Sequence, residues 1–341
     1  MKQRDGLGYW AALVTVLACS APATERGVVS VSAPQRAEVR APAREIIERG
    51  RYLVEHVAAC PDCHSPRRDH DDFERERWLS GVDCFVDAVP DDPNLGCLAT
   101  GNLTNHETGL KNRTDQQIKD MFQRGVRPDG KALHPFMPYA YFANMRDSDA
   151  DAIVAYLRTV EGVDHTAAKS QPPFVAPPQP APRVDDAVIP LPRADYPERE
   201  AALRGRYLAG SIGTCLNCHT PRGPNGARFE VAFQGGMKFD RKSLGLPASE
   251  QEFVYAANIT PHETGILDYS VADIVRALKH GEDKDQAGER LCPPMPAGPL
   301  GSFGGLTDAD ATDIAHYLLS LPPHDNLVPY DCSRGGALET P

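Results

Sequence analysis

At 341 residues the chain has room for two ordinary domains. Hydrophobic residues make up 41% and charged residues 24%, the balance of a packed globular protein. A formal charge of −11 argues against a nucleic-acid partner and suits docking on neutral or basic protein surfaces.

Residues 1–18 read as a signal peptide. Lys2 and Arg4 form a basic start, and Tyr9 to Ala18 is apolar apart from Thr15. A run of about ten such residues is too short for a mature membrane span and fits a signal-peptide core. Val16-Leu17-Ala18-Cys19 resembles a bacterial lipobox, so Cys19 is expected to be lipidated as the first mature residue. Ordinary signal cleavage is the alternative. Either way the chain is expected in the bacterial periplasm, tethered through residues 19–43 to a membrane if Cys19 carries lipid. That compartment is oxidising.

From residue 44 the chain repeats itself. Arg49-Gly50-Arg51-Tyr52-Leu53 recurs as Arg204-Gly205-Arg206-Tyr207-Leu208, and ACPDCHSPR recurs as TCLNCHTPR. NLTNHETG from Asn102 returns as NITPHETG from Asn258. The Met-Pro step at Met137 returns at Met295, and IVAYL ending at Leu157 returns as IAHYL ending at Leu318. Five landmarks in the same order mark a duplication. It predicts one domain over 44–168 and a second over 199–325, with a tail over 326–341. Between them, residues 169–198 form a linker; nine prolines between Gln171 and Pro197 preclude regular helix and favour an extended surface segment.

Each copy reads as mostly helix. The spacing predicts a helix over Glu45–Val57, with Gly50 kept for close packing against a neighbour. Thr114 with Gln117 predicts a capped helix running to Arg124, matched by one from Ser270 to Gly281. Closing helices carry Ile153, Tyr156 and Leu157, and Ile314, Tyr317, Leu318 and Leu321 before Pro322. Little strand is expected, and few core residues remain. Something large should fill each centre.

Cys60, Cys63 and His64, and again Cys215, Cys218 and His219, form CxxCH. A zinc ribbon needs its two cysteine pairs close in sequence, and these are a domain apart. A redox pair belongs beside a βαβ pattern, which is absent, and needs no histidine. Haem fits. On a helix, residues three apart share a face, so two sulfurs can reach one porphyrin while the next histidine reaches iron. Two covalent haem c groups are therefore expected, with His64 and His219 as proximal ligands. For the sixth ligand, Met121, Met145 and Met237 are candidates, but only Met137 and Met295 stand at matched positions before a proline. Met145 and His134 are the rivals in the first copy; Met121 reads as helix core, and any methionine can be gap-filling core. Filled sixth positions favour electron transfer over chemistry at the iron, and Met/His ligation raises the potential.

These motifs resemble the multi-haem cytochrome c subunits of bacterial periplasmic alcohol, aldehyde and gluconate dehydrogenases. The shared features are RGxYL, CxxCH-x-PR, the N-[LI]-T segment, the Met-Pro loop and the final helix. The resemblance implies two tandem class I cytochrome c domains, mostly α, joined by the Pro-rich linker. It implies the pairs His64 with Met137 and His219 with Met295. It also implies a dehydrogenase donor and a respiratory acceptor as partners. Those subunits usually carry three haem domains and a C-terminal anchor, and two copies are read here. Of the remaining cysteines, one bridge within each copy would pair Cys84 with Cys97 and Cys292 with Cys332; a role for Cys292 at the second haem is the alternative. Asn102 and Asn258 suit a turn or the haem-side backbone, and Arg67 and Arg222 suit propionates or the surface. The expected function is electron transfer by a dihaem cytochrome; a dihaem peroxidase or sulfur-oxidising enzyme is the alternative.

Overall fold

A repeated sequence produces a repeated order of elements. The computed structural model describes residues 43–69, 72–90, 92–246, 252–284 and 290–329. The expected signal peptide, Cys19, Cys332 and all of the expected tether except Ala43, which opens a helix, lie outside the described residues. In the first half the helices are α1 (Ala43–Tyr52), α2 (Cys60–His64), α3 (Asp115–Arg124), α4 (Tyr139–Phe142) and α5 (Asp147–Leu157). In the second half they are α6 (Arg199–Tyr207), α7 (Cys215–Cys218), α8 (Val271–His280) and α9 (Asp308–Leu319). A 3-10 turn at Ser302–Gly305 stands where the first half has α4.

The opening and closing helices of each half cross at backbone contact. A Cβ on Gly50 would lie 1.8 Å from the Ala152 carbonyl oxygen, and one on Gly205 would lie 1.9 Å from that of Asp313. Only glycine allows this approach, which explains its place inside two helices. The expected helix to Val57 changes character after Tyr52. Leu53–Val57 and Leu208–Ile212 are π-helical turns, closed by Ala58 N–H to Leu53 C=O at 2.7 Å and Gly213 N–H to Leu208 C=O at 2.6 Å. The wider turn points Leu53, Val54 and Val57, and Leu208 and Ile212, into the core.

The capped helices form as the spacing predicts. Thr114 and Gln117 cap α3 reciprocally, and Ser270 and Asp273 cap α8. Gly125 (φ 64°) and Gly281 (φ 68°) end them in the left-handed region. Among the described residues, strand is confined to four two-stranded antiparallel ladders: β1 (Arg67–Asp69) with β2 (Asp72–Phe73), β3 (Val86–Asp87) with β4 (Cys97–Leu98), β5 (Arg222–Gly223) with β6 (Gly226–Ala227), and β7 (Lys238–Asp240) with β8 (Phe253–Tyr255).

The proline-rich segment is irregular but docked along its length. Gln171 N–H bonds Cys97 C=O, Gly96 N–H bonds Pro172 C=O, and Val184 N–H bonds Ala140 C=O at 3.0 Å. Further on, Arg193 N–H bonds Ser320 C=O at 3.1 Å. Ile189 is fully buried and Val184 is buried. The few apolar residues among the prolines thus seat a strap on both halves. One hydrophobic core runs through the two halves, from Val57, Ile153 and Leu157 to Ile212, Ile314 and Leu318.

Candidate haem-binding sites

Both CxxCH segments begin the same way. After the cap of each π turn comes a left-handed, non-glycine residue, Ala59 (φ 52°) or Thr214 (φ 51°), which is the N-cap of the short cysteine helix. Holding an L-residue there costs about 1–3 kcal/mol, and such strain gathers at functional sites. It recurs at the same place in both halves.

The histidines are fixed alike. His64 Nδ1 lies 2.8 Å from the Gly101 carbonyl oxygen, and His219 Nδ1 lies 2.8 Å from that of Ala257. A carbonyl only accepts, so Nδ1 carries the proton and Nε2 keeps its lone pair. Burial lowers the pKa of both rings, which keeps them neutral. An oriented neutral imidazole with its second nitrogen tied to a carbonyl is the arrangement of a metal ligand.

Cys60, Cys63, Cys215 and Cys218 are unbonded and half-buried. Burial pushes Cys60 and Cys215 up to about 12 and Cys218 up to about 11, and raises Cys63 as well. A redox CxxC pair instead requires a lowered thiol pKa. Among the described residues, the one trio of metal-donor side chains close enough to share an ion is Cys84, Asp87 and Cys97. Cys84 and Cys97 are bonded to each other, at a Cα separation of 4.9 Å. Cys292 is also disulfide-bonded, and its partner lies outside the described residues.

The thiols and both histidines line one cavity of about 1840 Å³. Pockets for a single small ligand run to roughly 300–1,000 Å³, so this one has room for two large groups. Its wall also holds Met137 and Met295, and the rival donors Met121, Met145, Met237 and His134. The two matched methionines sit in the same turn: Met137 N–H bonds His134 C=O at 3.1 Å, and Met295 N–H bonds Cys292 C=O at 3.0 Å. Met145 is buried in the core. His134 Nδ1 accepts from the Phe136 N–H at 3.2 Å, and its ring meets Phe174 edge-on. Apolar walls, tied imidazoles and neutral thiols together fit covalently held haem.

The asparagines act as loop clamps. Asn102 Oδ1 accepts from Thr104 N–H and hydroxyl, while its amide donates to the carbonyls of Val163 and His165. Asn258 does the same with Thr260 and the His324 carbonyl. Arg67 pairs with Asp62 at 2.6 Å, and Arg222 donates to Asn217 at 2.7 Å. Burial raises the Asp62 carboxyl, and Ser302 and Arg67 partly offset this.

Sequence reasoning missed the contacts between halves: Tyr52, Tyr207, Asp149, Asp310 and the Asp62–Ser302 pair. The only available signal was that RGRYL keeps its tyrosine in both copies.

No protein-family model matches the chain. It is similar to a fructose dehydrogenase cytochrome subunit of Gluconobacter japonicus, 30% identical over 289 residues, 82% of this chain and 53% of that protein. It is similar to the gluconate 2-dehydrogenase cytochrome c subunit of Pantoea cypripedii, at 25% over 82% of this chain and 60% of the other. A dihaem cytochrome c-type protein of Cereibacter sphaeroides is 26% identical over 67% of this chain and 73% of its own length. The chain spans about half the length of the first of these, at 53%. The homologues of this chain are thus cytochrome c subunits of fructose, alcohol and gluconate dehydrogenases and a dihaem cytochrome c, at 25–30% identity over most of its length.

Proposed function

We propose that the chain is a dihaem c-type cytochrome of two tandem cytochrome c domains that relays electrons in the bacterial cell envelope. Its donor would be a periplasmic dehydrogenase and its acceptor a component of the respiratory chain. The observation that carries this reading is the matched pair of CxxCH histidines, each with Nδ1 tied 2.8 Å from a carbonyl inside one thiol-lined cavity.

Cys60 and Cys63 would hold one haem and Cys215 and Cys218 the other. His64 and Met137, and His219 and Met295, would ligate the irons. When bound, haem supplies a one-electron iron couple. The chain's own residues hold both imidazoles neutral and oriented, and bring a methionine turn from each half to the wall of the same cavity. The relatives' names support a dehydrogenase as partner. Among the described residues no helix is long and apolar enough to cross a membrane. Cys19 would supply the anchor.

Haem content tests the reading. Exported protein should carry two haem c per chain by pyridine haemochrome assay. C60A/C63A and C215A/C218A should each retain one. A wild-type count of zero or one would refute it. Purification from native membranes should bring down a dehydrogenase catalytic subunit.

A further inference from the structure

Each half lends a tyrosine to the other. Tyr52, the last residue of α1, donates to Asp310 at 2.6 Å and accepts from the Thr307 backbone N–H at 3.2 Å. Tyr207, the last residue of α6, donates to Asp149 at 2.6 Å and accepts from the Arg146 backbone N–H at 3.0 Å. Thr307 and Arg146 are the N-caps of α9 and α5, and the two aspartates stand three residues further on. Each tyrosine therefore caps the closing helix of the opposite half. It satisfies an N–H with no partner inside the helix, next to a carboxylate placed where the helix dipole favours it.

The surroundings tie this cap to both halves. Arg49 binds Asp149 at 2.9 Å, so that carboxylate joins α1 of its own half to α6 of the other. Arg146 lies 4.1 Å over the Tyr207 ring. In the second half two residues divide the work: Asp310 takes Tyr52, and Asp313 takes Arg204 at 2.7 Å.

The packing beneath is reciprocal too. The 3-10 turn after Met295 packs on the π turn Leu53–Val57, and α4, after Met137, packs on the π turn Leu208–Ile212. The two π turns also touch, and each leads directly into a CxxCH segment. Ser302 donates its hydroxyl to Asp62, which stands between Cys60 and Cys63. Both cysteine segments therefore start from this junction and line the same cavity.

We propose that Tyr52 and Tyr207 are positioning residues for electron passage between the two haem sites, acting as reciprocal helix caps that fix the distance between the cysteine segments. This rests on the two-haem reading above. The step moves one electron from one site to the other and consumes nothing else. Its rate falls steeply with separation, so a rigid junction sets it where a strap alone would not. Tyrosine-to-phenylalanine changes keep the ring and remove only the hydroxyl that caps.

The test compares the full-length, haem-loaded protein with Y52F, Y207F and Y52F/Y207F. Haem is counted first; fewer than two per chain in the wild type would overturn the functional reading itself. In the double variant, transfer between sites after flash photoreduction should slow on the order of tenfold or more. The Soret circular-dichroism couplet of the interacting haems should shrink. The absorption spectrum and midpoint potential of each site should stay as in the wild type, which a general loss of structure would not allow. An unchanged rate and couplet would overturn the proposal. Pulsed electron paramagnetic resonance on the unmodified ferric protein supplies a second arm. One narrow iron–iron distance is expected, and a broad distribution would overturn the proposal even if the double variant fails to load haem.

Discussion

Met137 and Met145 stand eight residues apart in the wall of one cavity, yet they differ in their surroundings. Met137 closes a turn on His134, as Met295 does on Cys292, and both precede a proline. Met145 is 5% exposed and belongs to the apolar cluster. Replacing the proposed ligands one at a time should therefore alter one haem each. Met137→Ala or Met295→Ala should abolish one methionine–iron charge-transfer band and lower one potential, read by redox titration, because methionine ligation raises it. Met145→Ala should leave both bands in place and cost stability instead, about 2–5 kcal/mol by chemical denaturation. The CxxCH residues and the paired methionine turns stand out in the sequence because the repeat keeps the same residue types at matched positions. Asp62 was not legible as a contact. Its partner Ser302 lies 240 residues away, and nothing local marks the pair.

Helices carry their instructions locally, which is why α3 and α8 follow from the sequence to within a residue. Their capping boxes need only positions three apart. Removing one cap, Thr114→Ala or Ser270→Ala, should cost about 1 kcal/mol in denaturant unfolding, with haem content unchanged. The glycines of α1 and α6 are stricter. Gly50→Ala or Gly205→Ala would drive a methyl group into a backbone carbonyl across the helix crossing. Overpacking costs about 1–3 kcal/mol in typical cores, and here the obstacle is backbone that cannot rotate away. Lower thermal midpoints than for alanine changes at exposed helix positions are expected. The π turns escaped the sequence reading because their apolar pattern, Leu53, Val54 and Val57, also suits an α-helix. The choice is made by burial against the other half.

Across the whole molecule, the proline-rich strap is where expectation and structure differ most. Composition predicts an extended surface segment, and the backbone is indeed irregular. Composition is blind to the side chains that seat it, Val184 and above all Ile189, which is 1% exposed. Ile189→Ala should destabilise the protein by about 2–5 kcal/mol, far more than a flexible tether would register. Because the halves also hold each other directly, one proteolytic cut near the exposed Val175 should leave both fragments eluting together on gel filtration. Separation of the fragments would contradict that. Contacts between halves were invisible in the sequence because a repeat specifies what each copy shares, not how copies face each other.

The exchanged tyrosines have the form of an isologous interface, in which one surface patch serves twice, as in a symmetric dimer. In a dimer of identical chains every substitution falls on both sides at once. Here the strap has made the two partners one chain, and each side is free to change alone. The traces are visible: Asp149 performs alone what Asp310 and Asp313 divide, and Asp62 in one cysteine segment corresponds to Asn217 in the other. Joining the copies thus released them from identity, and the two cysteine segments differ in the charge around them while each half keeps the same histidine tether and the same exchanged tyrosine.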